Sequence, residues 1–357
     1  MSAEKILAIN PGSTSTKIAV FEGEKQVFIN TIRHSTEELS KYHNVAAQFE
    51  FRKELILSEL KNAGIDVASL SAIVGRGGLL RPIESGAYEV NANMKADLLS
   101  PDCREHASNL GALLADSIAS GIKGARAFIA DPVVVDELSD VARISGLPTC
   151  PRISIFHALN QKAVARRFAK EKGKKYEDLN LVIAHLGGGI SVAAHEKGRV
   201  VDVNNALDGD GPFSPERAGS LPSGALRDIC FSGKYTIDEV KKMLCGKGGL
   251  VAHVGNNDAQ QLEIAAREGD AKSKLVQDAM CYNIAKWIGA MAAVLCGKVD
   301  GIILTGGIAH NKYLVEYVKK MVEYISPVTV YPGEDEMAAL SMNALMVLRG
   351  ELKVKEY

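Results

Sequence analysis

Apolar positions along this chain alternate between short runs and helical stripes. KILAIN (5–10) and TKIAVF (16–21) are apolar runs closed by turn residues, and QVFINTI follows the turn GEK. Three such runs in succession predict a three-stranded meander. A helical period then sets in over about 44–63, with Val45, Phe49, Leu55, Ile56, Leu60 and Ala63 apolar and Gly64 as the stop. SAIVGRGG reads as a short buried strand running into a glycine turn. A helix is expected from about 102 to 121, a strand over ARAFIAD, and a helix with a basic outer end over FHALNQKAVARRFAKEKGKK.

The opening pattern then returns. LNLVIAHLGGGISVAAHEKGRVVDVNNAL (179–207) again has strand, glycine turn, strand, tight turn and strand. Laid over the first meander, Asn10 falls on His185 and PGSTS falls on LGGGI, at an offset close to 175 residues. Glycine-turn hairpins are common, but here three strands and both turns keep their spacing, which points to an internal duplication. GIILTGGIAHN (301–311) adds a third glycine turn, and an apolar helix, MAALSMNALMVLRG, closes the chain.

Composition narrows the class. The chain has 357 residues, enough for two domains, with 46% hydrophobic and 24% charged residues and a net charge of −1. That balance gives no support to nucleic-acid or anionic-membrane partners, so any anion site must be local. The six cysteines are scattered with no CxxC pair, as expected of reduced thiols in a cytoplasmic protein rather than of a zinc site. MSAEK leads straight into a strand without a signal-peptide pattern. The apolar stretch 279–296 is short for a membrane span and contains Lys286; it reads equally as a core helix or as part of a contact in a homodimer or larger homo-oligomer.

The glycine turns carry the candidate chemistry. Neither GxxxxGK[ST] nor GxGxxG occurs. A glycine-rich turn lets backbone N–H groups approach an anion closely. In PGSTST the hydroxyls of Ser13, Thr14 and Ser15 add donors, with Asn10 before the turn and Lys17 behind it. Each turn alone could simply close a hairpin; two in equivalent places suggest a clamp on phosphate. Arg76, Asp131, His157, His185 and Arg217 fall at strand–loop junctions, where ligands gather in α/β sheets. Singly, each has a plain structural reading as a surface arginine, a satisfied histidine or a turn aspartate.

Together, NPGSTSTK, HLGGG and TGGIAHN resemble the acetate kinase family, part of the superfamily of sugar kinases, heat-shock chaperone ATPases and actin. VGRGGLLRPIESGAYEVN, AHLGGGISVAAH and VYPGEDEMAAL are phrased as in its butyrate-using branch, and the likeness runs nearly end to end. The resemblance implies an α/β fold of two duplicated actin/ribonuclease H-like domains with βββαβαβα cores. The domains would be 1–150 and 151–334, with the helix at 335–357 packing back on the first and ATP in a cleft between them. It implies ATP/ADP and Mg²⁺ as cofactors, a short-chain carboxylic acid as substrate, and an acyl phosphate as product. Isobutyrate or acetate stay open as the acid, and a non-kinase ATPase module stays open as the other class. By motif, Asn10, Ser13, Ser15 and Lys17 would contact phosphates. Arg76 and Arg217 would hold carboxylate and phosphoryl group, His157 and His185 would flank the latter, and Asp131 would support magnesium. Gly187, Gly188 and Gly189, with Gly306, Gly307 and Asn311, would cradle phosphate and adenosine. The turn 307–311 lacks the acid that the family pattern uses for magnesium, so Glu334 or Glu336 of PGEDEM is the substitute. The duplicated halves further suggest a hinge whose closure would exclude water.

Overall fold

The computed structural model describes residues 4–357. Two compact units divide the chain: residues up to Val135 together with Asp335–Tyr357, and Asp136–Glu334.

The first unit is built on strands β1 (Lys5–Pro11), β2 (Ser15–Glu22), β3 (Lys25–Arg33), β4 (Ala72–Arg76), β5 (Ala87–Glu89) and β6 (Arg126–Ala130), in the order β3-β2-β1-β4-β6-β5. The hairpins β1–β2 and β2–β3 are antiparallel; β4 joins β1, and β6 joins β4, in parallel. The second unit has β7 (Asn180–Leu186), β8 (Ile190–Glu196), β9 (Arg199–Val203), β10 (Gly301–Gly306) and β11 (Val328–Pro332), in the order β11-β10-β7-β8-β9. Read from its other edge, this sheet repeats five strands of the first with the same directions. Asn10 and His185 hold equivalent places near the ends of β1 and β7. The turns differ by one residue: Pro11 pairs with Thr16 to close the first, whereas Leu186 pairs with Ile190 to close the second.

Helices α1 (Phe49–Asn62) and α2 (Asn109–Ser120) belong to the first unit. In the second, α3 (Ala158–Glu171), α4 (Ala271–Val294) and α5 (Lys312–Val322) cover the sheet. The last helix, α6 (Glu336–Leu348), packs on β1 and β4 of the first unit, although it follows β11 of the second. Likewise α3 follows β6 in the chain but packs on β7 and β10. The last helix therefore returns to the unit in which the chain begins.

Three expectations move. The break expected at 150 lies at 135, because Glu137 is tied into the second unit by buried Lys162, 2.7 Å away, and by the Val200 N–H at 2.8 Å. The helix expected from 102 begins only at Asn109. The preceding polar residues form turns, with Asn109 Nδ2 donating to the Arg104 carbonyl and Leu79 N–H donating to Asn109 Oδ1. The helix expected from 44 begins at Phe49, after a 3-10 turn over Ala46–Gln48.

Apolar faces of the sheets and helices make two cores. Leu7, Ile9, Ile18, Ile73 and Leu114 lie in the first; Val182, Val192, Ile284, Ile288 and Leu304 lie in the second. The apolar stretch 279–296 gives one face to the core: Met280, Ile284, Ile288 and Met291 are buried, while Tyr282 and Val294 are exposed. No helix is long and apolar enough to cross a membrane among the described residues. One crossing aims a site residue. A β-carbon on Gly75 of β4 would meet the Gly111 carbonyl oxygen of α2 at 2.1 Å, and one on Gly111 would meet the Arg76 carbonyl oxygen at 2.1 Å. Two glycines thus let helix and strand touch backbone to backbone, at the end of β4 from which Arg76 projects.

Candidate active site

In the first unit the site residues gather at the ends of β1, β4 and β6. Asn10 and Lys17 are cross-strand partners at the mouth of the first hairpin and share a face of the sheet. Ser13 is exposed at the tip of the turn and Ser15 is half-buried. Behind the turn sits Arg52 of α1, 1% exposed. Its Nη1 donates to the Gly12 and Ser15 carbonyls at 2.9 and 3.1 Å and to Thr16 Oγ1 at 3.0 Å; its Nη2 donates to the Ser13 carbonyl at 3.3 Å. Burial brings this guanidinium down to about 10, still a cation at neutral pH. Arg52 thereby draws the turn's carbonyls inward, which suits a turn whose amides and hydroxyls serve an anion.

Arg76 Nη1 lies 2.9 Å from Glu336 Oε1, at the start of α6, and Asn10 Nδ2 donates to the other Glu336 oxygen at 2.5 Å. One carboxylate from the last helix thus orients two residues contributed by different strands. Asp131 follows β6 with φ of 37°, a left-handed conformation that costs a non-glycine residue about 1–3 kcal/mol. It is buried and accepts from Ser85 Oγ at 2.6 Å and from the Gly86 N–H at 2.9 Å. Such strain persists only where the surroundings fix it, and here two donors do. His106 also belongs to this region: burial, then the charges of Arg76 and Arg104, hold its imidazole below the usual range. His106 lines a cavity of about 400 Å³ together with Val45, Leu98, Leu110 and Leu113.

In the second unit, His157 caps the start of α3 and stacks on His185 of β7, with ring centroids 3.7 Å apart and planes 8° from parallel. His157 Nδ1 is 2.9 Å from Ser191 Oγ, and His185 Nδ1 is 2.8 Å from Asn160 Oδ1. His185 Nε2 is 3.0 Å from Glu334 Oε1, an ion-pair distance without hydrogen-bond alignment. The Gly187–Gly189 turn follows directly. Ser214 Oγ donates to the Gly188 carbonyl at 2.7 Å, and Arg217 lies against Gly189 while donating to the Ala206 carbonyl. A cavity of about 500 Å³ opens here, lined by Gly187, Gly188, Glu216, Asn257, Gly307, Asn311 and Glu334, among others. Two expected cradle residues have structural duties. Asn311 Oδ1 caps α5 by accepting from the Leu314 N–H at 2.9 Å. Gly306 is buried with φ of 90°, and a β-carbon there would meet the Leu186 carbonyl oxygen at 2.4 Å, so it fits the strand ends together rather than lining the cavity.

The sequence profile of the Acetokinase family matches residues 152–331. The chain is 58% identical over 353 residues to butyrate kinase 2 of Clostridium acetobutylicum, covering 99% of each chain. The chain belongs to the acetokinase family. A probable butyrate kinase of Bacteroides thetaiotaomicron is 58% identical over the same span, again with 99% of each chain covered. Among solved structures, Porphyromonas gingivalis acetate kinase superposes with a TM-score of 0.79 at 21% identity, covering 97% of this chain and 100% of its own. A propionate kinase of Francisella tularensis superposes with a TM-score of 0.73 at 17% identity, covering 95% and 98%. The family resemblance and the duplicated α/β fold expected from sequence are both found.

For an acetokinase-family chain the implied metal is magnesium. Among the described residues no three His, Cys, Asp or Glu side chains form a metal-binding group. The acids that are present act singly: Glu336 with Arg76, Glu334 with His185, Asp131 with Ser85 and Gly86. This donor set fits a cation that arrives on nucleotide phosphates and keeps most of its oxygen shell from phosphate and water. It does not fit an all-protein cage.

Sequence reasoning missed Arg52, His106, Gln161 and Ser191. For Arg52 a signal existed: positions 49, 52, 56 and 60 share one helix face, so an arginine sits on the buried stripe of α1. Ser191 gave none, because only the fold brings it beside His157; Gln161 stands one helical turn after His157, but nothing local marked it as a partner of Ser191.

Proposed function

We propose that this chain transfers the terminal phosphoryl group of ATP to the carboxylate of butyrate, giving ADP and butyryl phosphate, and that it runs in either direction. The observation that carries the reading is that each unit presents anion donors at its strand ends: Arg76 beside the Gly12–Ser15 turn in one, and Arg217, the stacked His157–His185 pair and the Gly187–Gly189 turn in the other. A carboxylate is already an anionic nucleophile and needs no general base. What the reaction needs is two anions held in line and charge stabilised on the phosphoryl group in flight.

In this reading Arg76, oriented by Glu336 and Asn10, holds the acid's carboxylate, and Arg217 draws on the transferring group. His157 and His185 donate to its equatorial oxygens. The Gly187–Gly189 turn and the adjoining cavity hold nucleotide, with Gly307 and Asn311 on its outer side. Asn10, Ser13, Ser15 and Lys17 contact phosphate oxygens. Asp131 and Glu334 serve the nucleotide-borne magnesium, which neutralises phosphate charge when bound. The alkyl chain enters the cavity beside His106, along Val45, Leu98, Leu110 and Leu113. The names of the curated relatives support butyrate. One methylene in such a pocket is worth only about 1–3 kcal/mol, so acetate and isobutyrate are expected as slower substrates.

Hydroxylamine trapping of the acyl phosphate tests the reaction, with acids from acetate to valerate and their branched isomers compared by kcat/KM. ATP-dependent hydroxamate, greatest with butyrate, is the expected result. ATP hydrolysis without hydroxamate would replace this reading with that of a non-kinase ATPase. Arg76→Ala and Arg217→Ala should each lower turnover by about a hundredfold or more, the size of effect for losing one charge-stabilising donor.

A further inference from the structure

We propose that Ser191 is a positioning residue that fixes the proton of neutral His157 on Nε2, at the end of a buried one-way chain of hydrogen bonds running from Tyr176 through His195 and Gln161. The proposal rests on the role given to His157 above, but its central test does not depend on activity.

The chain is continuous. Tyr176 Oη is 2.7 Å from His195 Nδ1, and His195 Nε2 is 2.9 Å from Gln161 Oε1. Gln161 Nε2 is 2.9 Å from Ser191 Oγ and 3.1 Å from the Ser191 carbonyl, and Ser191 Oγ is 2.9 Å from His157 Nδ1. Tyr176, His195, Gln161 and Ser191 are all buried.

Each link has one permitted direction. The Ser191 carbonyl can only accept, so the Gln161 atom facing it is the amide nitrogen. Gln161 Oε1 is then the acceptor facing His195, whose Nε2 must carry a proton. Burial, with the Lys162 charge nearby, keeps His195 neutral, so its Nδ1 is a lone pair and takes the Tyr176 hydroxyl proton. At the other end, Ser191 Oγ receives an N–H from Gln161, and the His157 backbone N–H also lies 3.5 Å from it. Its own proton needs an acceptor. Among its hydrogen-bond partners only His157 Nδ1 can be one. Were His157 to carry its proton on Nδ1, the buried Ser191 hydroxyl would have no acceptor, which is unfavourable. The proton therefore stays on Nε2.

The consequence is a neutral donor. His157 stacks on His185 at 3.7 Å, where two protonated rings would place like charges in contact. A His157 held as the Nε2–H tautomer can donate to a phosphoryl oxygen without bearing charge. No proton is transferred; the relay only settles where it resides.

The experiment is long-range ¹H–¹⁵N correlation on the full chain labelled with ¹⁵N-histidine at neutral pH, with His157 and His195 assigned by single substitution. Both rings are expected as Nε2–H tautomers. His157 found with its proton on Nδ1 in the wild type would overturn the proposal, whatever the variants do. Ser191→Ala should give a mixed His157 tautomer and lower kcat by about tenfold or more with KM for the acid little changed, since a donor is lost in the transition state. Ser191→Thr, which keeps the hydroxyl, should restore both. Gln161→Glu can only accept, so it should turn the Ser191 hydroxyl round and move the His157 proton to Nδ1. An unchanged tautomer in both Ser191→Ala and Gln161→Glu would also refute the relay. A wild type that makes no hydroxamate but shows the expected tautomers would fault the reaction reading and leave the relay standing.

Discussion

Arg217 occupies the space that a side chain at Gly189 would need: a β-carbon there would come within 1.8 Å of Nη1 and 2.5 Å of Cζ. The glycine is thus a seat for the guanidinium as well as a turn residue. The neighbouring glycines differ. A β-carbon at Gly187 would lie 3.1 Å from His185 Nε2 and 3.3 Å from Glu334 Oε1, whereas at Gly188 nothing comes closer than Glu216 Oε2 at 3.9 Å. Alanine substitutions should therefore grade in severity. Gly188→Ala should keep most activity and Gly187→Ala should lose part of it. Gly189→Ala should lose about a hundredfold or more by displacing Arg217. Hydroxamate assays on the three variants decide it, and equal rates would contradict the seat.

Arg52 should matter to stability through the first turn. Arg52→Met removes the charged donor of the Gly12, Ser13 and Ser15 carbonyls and of buried Thr16 Oγ1, and a hydrogen bond to a charged group is worth about 1.5–3 kcal/mol. The expected loss is about 3 kcal/mol or more in urea unfolding. Arg52→Lys should not restore it, because one ammonium cannot reproduce the spread of a guanidinium fork. An unchanged unfolding midpoint in Arg52→Met would show that the turn holds itself.

The pair of Lys162 and Glu137 is buried, with side chains 1% and 7% exposed. Removing one partner strands a charge, so Lys162→Met should cost about 3–5 kcal/mol. Combining it with Glu137→Gln should recover much of that loss. If the double variant is as unstable as the sum of the two single ones, the coupling is absent.

Acid should weaken the fold before its carboxylates titrate. Burial holds His195 well below the usual imidazole range, and His34 and His106 below it too. Between their folded values and about 6.5 the unfolded chain binds protons that the native state refuses, so stability rises with pH there. It should be fully present above about pH 6.5 and fall on acidification by up to about 1.4 kcal/mol per pH unit for each such group. Urea unfolding at pH 7.5, 6.5 and 5.5 measures the slope; a flat profile would mean that these rings are protonated in place.

Much of this was legible in the sequence for a physical reason. The duplication rests on strand and turn periodicity, which are local properties, and the sheets reproduce it with Asn10 and His185 in equivalent places. Arg76, Asp131, His157, His185 and Arg217 all stand beside strand ends, as their neighbouring turn residues suggested. Gly306 shows the limit: a glycine in a turn looks the same whether it cradles a ligand or lets two strands meet.

What the sequence determined by itself was the two meanders, the buried strands over SAIVGRGG, ARAFIAD and GIILTGG, the repeat and the family, because hydrophobic period and turn chemistry act over a few residues; β5, β11 and α5 lay outside that reading. Tertiary structure alone decided the partners. Glu336 orients Arg76 from 260 positions away because α6 packs on β4, and the boundary falls at 135 because Lys162 claims Glu137. Gln161 follows His157 by one turn of α3, but Ser191 reaches both because α3 packs on β7, the strand that pairs with β8. Such pairings depend on the packing of distant helices against strands, and no local pattern of residues encodes which partner a buried polar group will meet.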